Sequence, residues 1–474
     1  MTMPSLPDLR PPFSLRSELR SLLGLAVPVT VVQVGMMLMG VVDTIMVGRV
    51  SAAAIAAVAL GSTYFFTVTI FGMGVLFALD PIVAQAVGAR DHVAVTRGLQ
   101  RGVFLSLVLT LWTTLLMLPA EAILRALNQP AEVIPIATGY IRACIPGVFP
   151  FFGFIVLRQT LQAMHRLRPV VVTMLAANLL NAVLNWIFVF GELGVPAMGA
   201  VGTGWASSVS RTVMLLGLLA LAWAPLHPHV RRLRRESIAV RPLWRMLRLG
   251  APIGVQFQLE AGAFGIVALF MGWFGTTQMA GHQVALNLAS FTFMFPLGIS
   301  AAASVLVGQA VGRGDATAAR RAAITALICG VGFMAFSAVV LLTIPDVLAR
   351  LYTTEPAVIA LASMLIPLAG VFQVFDGTQV VAIGVLRGIA DTRAPMIVNI
   401  LGFWLIGMPI GLWLGFRTPL GPRGLWWGLV VGLAAVAVFL VIRVRWRMGS
   451  GRELRRVVID APEELIAASD IVGT

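Results

Sequence analysis

Four carboxylates sit inside long apolar stretches of the chain: Asp43 in GVVDTIMVG, Asp80 in FALDPIVA, Glu260 in FQLEAGAFG and Asp376 in GVFQVFDGTQVV. An acid surrounded by hydrocarbon costs several kcal/mol unless it is protonated, paired or hydrated, so acids at that depth mark ion or proton pathways. Glu260 lies twelve residues past Arg248, about 18 Å along a helix and therefore mid-membrane. Glu260 and Asp376 fall in the same half of the chain, and two carboxylates in one site can share a cation or a proton. Phe372 lies one helical turn before Asp376 on the same face. It offers either an aromatic face to a bound cation or plain packing bulk.

Asp43 has polar company of its own. The stretch NLLNAVLNW carries Asn178, Asn181 and Asn185, and the last two share a helix face. Amides facing a carboxylate can complete a cation or proton site, or they serve ordinary interhelical hydrogen bonding. Asp80 precedes Pro81 near the end of an apolar run, where it is either solvated or caps the break that Pro makes. Arg211 in ASSVSRTVM needs a partner, either one of the acids or backbone carbonyls. His282 stands beside Gln283 and Asn287. That polar face lines a cavity or is a satisfied structural feature. His92, His165, His227 and His229 fall in or near connecting loops and read as solvated. There is no HExxH, P-loop or GxSxG, so an enzyme or primary pump lacks its parts.

The elements that hold these residues must be membrane helices. Hydrophobic residues make up 59% of the 474 positions and charged residues 11%, and the mean hydropathy is +0.93. Soluble domains carry roughly a quarter charged residues. Apolar runs near the ~20 residues that cross a bilayer are expected at 22–47, 54–87, 96–119, 132–158, 168–191, 198–224, 248–274, 281–311, 318–345, 357–386, 394–416 and 424–446. The net charge of +14 is all arginine and falls in the short gaps between runs, which argues against nucleic acid. With the N-terminus inside, 27 arginines fall on the cytoplasmic side and 5 outside. That predicts an inner-membrane protein with both termini cytoplasmic. The polar, Pro-rich start shows no cleavable signal pattern. Cys144 and Cys329 are too few for a disulfide framework or metal cluster.

The chain repeats. VAQAVGARD at 83–91 matches VGQAVGRGD at 307–315, and the same offset sets Pro28 over Pro252 and Gly48 over Gly272. The expected architecture is an all-α membrane protein of twelve transmembrane helices. Two six-helix lobes are related by a pseudo-twofold along the membrane normal, with substrate between them. The expected divisions are an N-terminal segment 1–21, a lobe 22–224, a basic cytoplasmic linker 225–247, a lobe 248–446 and a partly disordered cytoplasmic tail 447–474.

Taken together, VVDTIMVG, VAQAVGA, LLNAVLNWIFVFG, AGHQVALNLASFTFMFPLGISAAASVLVGQAVG, FDGTQVVAIGVLRGIADTR and the Glu of FQLE resemble the multidrug and toxic compound extrusion family, in its bacterial NorM-like branch. The resemblance runs from about Leu22 to Arg447. It implies a monomeric V-shaped transporter that exports lipophilic, often cationic drugs in exchange for Na+ or H+, with no cofactor. Glu260 and Asp376 match the family's acidic cation site, where Na+ would bind. Asp43 matches its N-lobe proton-coupling carboxylate, and Asn181, Asn185 and Thr203 match the polar neighbours of that acid. Pro28 matches a bend-forming proline of proton-coupled relatives, and Asp80 departs from the family pattern. The competing reading is a flippase for lipid or lipid-linked oligosaccharide on the same broad fold, whose cavity would be basic.

Overall fold

The computed structural model describes residues 15–231 and 235–449, with residues 454, 456, 457 and 459 of the tail. Twelve helices among them are long and apolar enough to cross a membrane. The first six are α1 (Arg16–Gly48), α2 (Ala52–Gly88), α3 (His92–Met117), α4 (Val133–Ala163), α5 (Arg168–Phe190) and α6 (Ala200–Leu221). The second six are α7 (Val240–Trp273), α8 (Thr276–Gly312), α9 (Ala316–Thr343), α10 (Pro356–Gly388), α11 (Arg393–Arg417) and α12 (Pro422–Arg447). Every apolar run expected from the sequence is therefore a helix. The largest shift is at α7, which starts at Val240 rather than 248. At α4 the helix continues past Arg158 to Ala163 and carries that arginine into the protein, so Arg158 is not a loop residue as the charge count assumed.

The repeat is visible in the backbone. Asp91 and Asp315 cap α3 and α9, accepting from the N–H of Ala94 and Ala318 at 2.9 Å each. Arg90 and Gly314, at the matching position, both have positive φ (58° and 75°). The prolines fall at defined places in the helices. Pro28 and Pro252 lie inside α1 and α7 at equivalent positions. Pro81 lies just beyond a break in α2 between Leu76 and Leu79. A proline ring clashes with the carbonyl four residues earlier, here that of Phe77, where the first segment of α2 ends. In α11, residues Ile400–Gly407 form a π-helix.

Packing is equivalent in the two lobes. α4 packs on α2, α3 and α6, as α10 packs on α8, α9 and α12. α5 pairs with α6, and α11 with α12. The lobes meet where α1 packs on α8 and α2 packs on both α7 and α8. Among the described residues, the side-chain hydrogen bonds, ion pairs and ring contacts that join the lobes all lie in the half nearer the central linker, here called the Arg-rich face. The seam there has a twofold pattern. Gln85 donates to the carbonyl of Gly388 at 2.9 Å, and its repeat mate Gln309 donates to that of Ala163 at 2.8 Å. Gly88 lies against the Gln309 backbone and Gly312 against the Gln85 backbone, so closely that a Cβ on either would overlap a carbonyl.

Loops on this face are tied down. Gln100 on α3 donates to the His229 carbonyl and accepts from Ser237, and Arg97 pairs with Glu236. His229 is thus not solvated. It is buried with Nδ1 2.7 Å from Thr96 Oγ1, and burial, followed by the charge of His92, lowers its pKa. Of the tail, Arg456 bonds Asp91, the Val457 N–H donates to Gln85, and Arg245 donates to the Ile459 carbonyl. These residues are packed rather than disordered. Residues 1–14 and most of the expected tail lie outside the described residues.

Gly312→Val tests the seam. The added atoms meet backbone on the opposing helix, and overpacking of this kind costs about 1–3 kcal/mol. The thermal transition of the detergent-purified protein is expected to fall by several degrees. An unchanged transition would show that the lobes do not touch there.

Candidate functional site

The C-terminal lobe brings two acids together in the plane of the membrane. Glu260 lies in the middle of α7 and Asp376 in the middle of α10. One side-chain amide bridges them. Gln379 Nε2 lies 3.1 Å from Glu260 Oε1 and 3.1 Å from Asp376 Oδ1. Gln379 follows Asp376 by three residues and therefore shares its helix face. Gln256, one turn before Glu260 on α7, is buried on the same helix face. Neither acid makes an ion pair with a basic side chain among the described residues. The Gln379 Oε1 atom is buried without a hydrogen-bond partner. The site thus offers carboxylate and amide oxygens with net negative charge, the donor set of a hard monovalent cation or a proton.

The π-helix of α11 braces this site. Trp404 Nε1 donates to the carbonyl of Leu259, the residue before Glu260, at 3.3 Å. An aromatic chain forms the wall beyond: the ring of Phe372 is edge-on to Phe264 at 5.9 Å and to Trp426 at 5.8 Å. His282 is edge-on to Trp426 at 5.6 Å. Both ring nitrogens of His282 are buried without a hydrogen-bond partner, as is the Trp426 indole nitrogen. The structure therefore places Phe372 and His282 in the packed wall, with no direct bond from His282 to either acid.

The N-terminal lobe holds a different arrangement. Asp43 on α1 is buried and accepts from Asn185 Nδ2 at 2.7 Å on one oxygen and from Ser207 Oγ at 2.9 Å on the other. Asn185 also donates to the Asn181 carbonyl at 3.0 Å. The side chains of Asn181 and Thr203 are fully buried, and Asn181 Nδ2 and Oδ1 and Thr203 Oγ1 have no hydrogen-bond partner. Such polar atoms, packed on the face that presents Asn185 and Ser207, can serve a bound ion or water. Among the described residues Arg211 makes neither an ion pair with an acid nor a bond to a carbonyl. Its guanidinium lies over the rings of Phe65 (4.1 Å) and Phe151 (5.5 Å) and acts electrostatically on Asp43. Thus, among the described residues, Asp43 has Arg211 acting on it and the Glu260–Asp376 pair has no basic partner.

Asp80 belongs to neither group. It is fully buried and neither solvated nor a cap, because Ala78 begins that segment with no side-chain cap. Its partner is Arg387 on α10, across the seam.

Sequence reasoning missed Ser207, Gln256, Gln379 and Trp404. The first three carried a signal. Thr203, Ser207 and Arg211 are spaced by four, and Gln256 and Gln379 are four and three residues from an acid already singled out. Trp404 had none, because its reach depends on the π-helix.

Two six-helix lobes that meet at one face, each with acids buried at membrane depth, define a membrane transporter and not an enzyme. The comparisons agree. The MatE family pattern matches residues 28–187 and 252–413, two blocks that begin at the equivalent prolines Pro28 and Pro252. The probable multidrug resistance protein NorM of Mesorhizobium japonicum is 37% identical over 90% of this chain and 94% of its own length. The multidrug resistance protein MdtK of Yersinia pseudotuberculosis is 34% identical over 90% and 95%. In fold, the chain is similar to the eukaryotic MATE transporter AtDTX14, with a TM-score of 0.83 at 23% identity over 92% of this chain and 100% of that one. It is also similar to an outward-facing multidrug resistance MATE transporter, with a TM-score of 0.82 at 22% identity over 91% and 96%. The chain belongs to the MatE family of membrane transporters.

Ser207→Ala tests the N-lobe site. It leaves one oxygen of a buried carboxylate without its donor, which costs about 1–3 kcal/mol. A thermal transition several degrees lower is expected, with Ser207→Thr near the parent. Equal melting of Ser207→Ala and the parent would show that Asp43 does not rely on this hydroxyl.

Proposed function

We propose that this transporter is a multidrug efflux antiporter that exports lipophilic, often cationic compounds in exchange for inward Na+ or H+. The observation that carries the reading is the Glu260–Asp376 pair. Two carboxylates share one amide at membrane depth with no basic partner, so a cation or proton is the group that completes them. The NorM and MdtK relatives, named as multidrug resistance proteins, support a drug as cargo.

The side-chain geometry supports a specific role for Gln379. Its nitrogen faces both acids, and its oxygen has no partner. Rotating the amide by half a turn presents an oxygen in place of the donor. The same residue then changes from stabilising bare carboxylates to ligating a cation alongside them. Asp43, with Asn181, Asn185, Thr203 and Ser207 around it, is the second coupling site, and the nearby Arg211 favours a proton over a metal ion there. Phe372 serves as packing bulk, and Pro28 sets the bend of α1.

Orientation follows from arginine placement. With Arg158 set apart, the count is 26 to 5, which supports an Arg-rich face and both termini in the cytoplasm of a bacterial inner membrane. The lobes are joined at that face, so this state is outward-facing. In it, ion binding at the acids displaces a cationic drug outward and favours reclosure. After the ion leaves on the inner side, the free carboxylates attract the next drug. Coupling requires only that ion and drug prefer different states. A flippase for phosphate-bearing lipids would need a basic cavity, and the excess of acids over bases at the Glu260–Asp376 site supports a cationic cargo instead. The chain acts as a monomer in this reading.

Glu260→Gln and Asp376→Asn are each expected to reduce ethidium or fluoroquinolone resistance of expressing cells to the vector background, at normal membrane abundance by immunoblot. Parent-like resistance in either variant would remove that residue from the coupling site.

A further inference from the structure

Asp80 anchors a buried charge cluster on the seam that the coupling acids do not use. Its Oδ2 lies 3.3 Å from Arg387 Nη1, and this is the one ion pair buried on both sides among the described residues, with exposures of 0% and 5%. Asp80 belongs to the N-terminal lobe and Arg387 to the C-terminal lobe. A second guanidinium stands beside them. Arg158 on α4 is 4% exposed and belongs to Asp80's own lobe. The groups it bonds are neutral: Nη1 donates to Gln33 Oε1 at 2.8 Å and lies 3.6 Å from the Met36 sulfur. Arg158 acts electrostatically on Asp80 without an ion pair to it. Both guanidiniums face the Phe77 ring at the break of α2, Arg387 at 5.0 Å and Arg158 at 5.8 Å. Asp80 Oδ1, Arg158 Nε and Arg387 Nε are all buried without a hydrogen-bond partner.

Two buried cations thus stand at one ring, only one of them is paired with Asp80, and one oxygen of that acid is unused. If the lobes part at this face, Arg387 leaves with α10. An unpaired buried carboxylate is strongly destabilising, because the charge is left without its partner and without water. Arg158 stays, already desolvated and held close by Gln33. We propose that Asp80 exchanges guanidinium partners during transport: Arg387 across the seam while the Arg-rich face is closed, and Arg158 within its own lobe once that face opens. The inference rests on the alternating-access reading above. The exchange keeps the acid paired in both states, so neither state is trapped and small differences in ligand affinity can move the equilibrium.

The test places spin labels at Val93→Cys and Thr317→Cys, exposed positions related by the repeat on either side of the seam, in a Cys144→Ala, Cys329→Ala background. Distances are measured by pulsed electron resonance in nanodiscs without drug or ion gradient. Arg387→Gln is expected to enlarge the long-distance, open population several-fold. Arg158→Gln is expected to reduce it, both in the parent and in the Arg387→Gln background. Both effects should vanish in an Asp80→Asn background, as a double-mutant cycle requires for groups acting through one partner. General damage to the fold would move both arginine variants in the same direction, so their opposite signs decide the matter even if Asp80→Asn does not fold. Arg158→Gln that enlarges the open population or leaves it unchanged overturns the proposal, as does either effect persisting in Asp80→Asn. Because no drug or ion is present, failure of antiport would leave this readout intact, and the two readings fail separately.

Discussion

A carboxylate cannot stand bare in hydrocarbon, and the organisation of this protein follows from that constraint. Four acids lie at membrane depth, and they are compensated in three ways. Asp376 and Glu260 share the amide of Gln379. Asp43 takes a donor on each oxygen from α5 and α6. Asp80 takes a guanidinium from the opposite lobe. Helix identity, helix bends and the seam between lobes all serve to bring these donors to those acids.

The scaffold is repeated and the chemistry is not. The same offset that superposes Pro28 on Pro252, Gln85 on Gln309 and Asp91 on Asp315 carries Glu260 onto Met36 and Asp43 onto Val267. The symmetric residues cap helices, bend them and join the lobes. The asymmetric ones carry charge. The pseudo-twofold frame gives two lobes that meet through matched contacts. One lobe holds an acid pair bridged by an amide, and the other an acid hydrogen-bonded by Asn185 and Ser207, so the two lobes differ in chemistry at membrane depth.

Much of this was legible in the sequence because lipid imposes a simple rule: apolar runs of sufficient length become helices, and acids within them need compensation. All twelve spans, the repeat, and the pairing of Glu260 with Asp376 followed from it. What was not legible depends on where helices end and what faces what. Arg158 was read as a loop residue because α4 continues beyond its apolar core. Asp80 was read as a cap or a solvated group because its partner is about three hundred residues away in the chain. His229 was read as solvated because loop residues usually are, whereas here the linker folds back onto α3. Trp404 required knowledge of a π-helix that no local pattern announces.

The central claim is that ion and drug move in opposite directions through one alternating pathway. The most direct test is flux of ethidium or a fluoroquinolone in proteoliposomes of the purified protein, first under an imposed Na+ gradient and then under a pH gradient alone. The account predicts drug movement against at least one of these gradients and no movement without either. Absence of drug movement under both, with folded protein of known orientation, would contradict it.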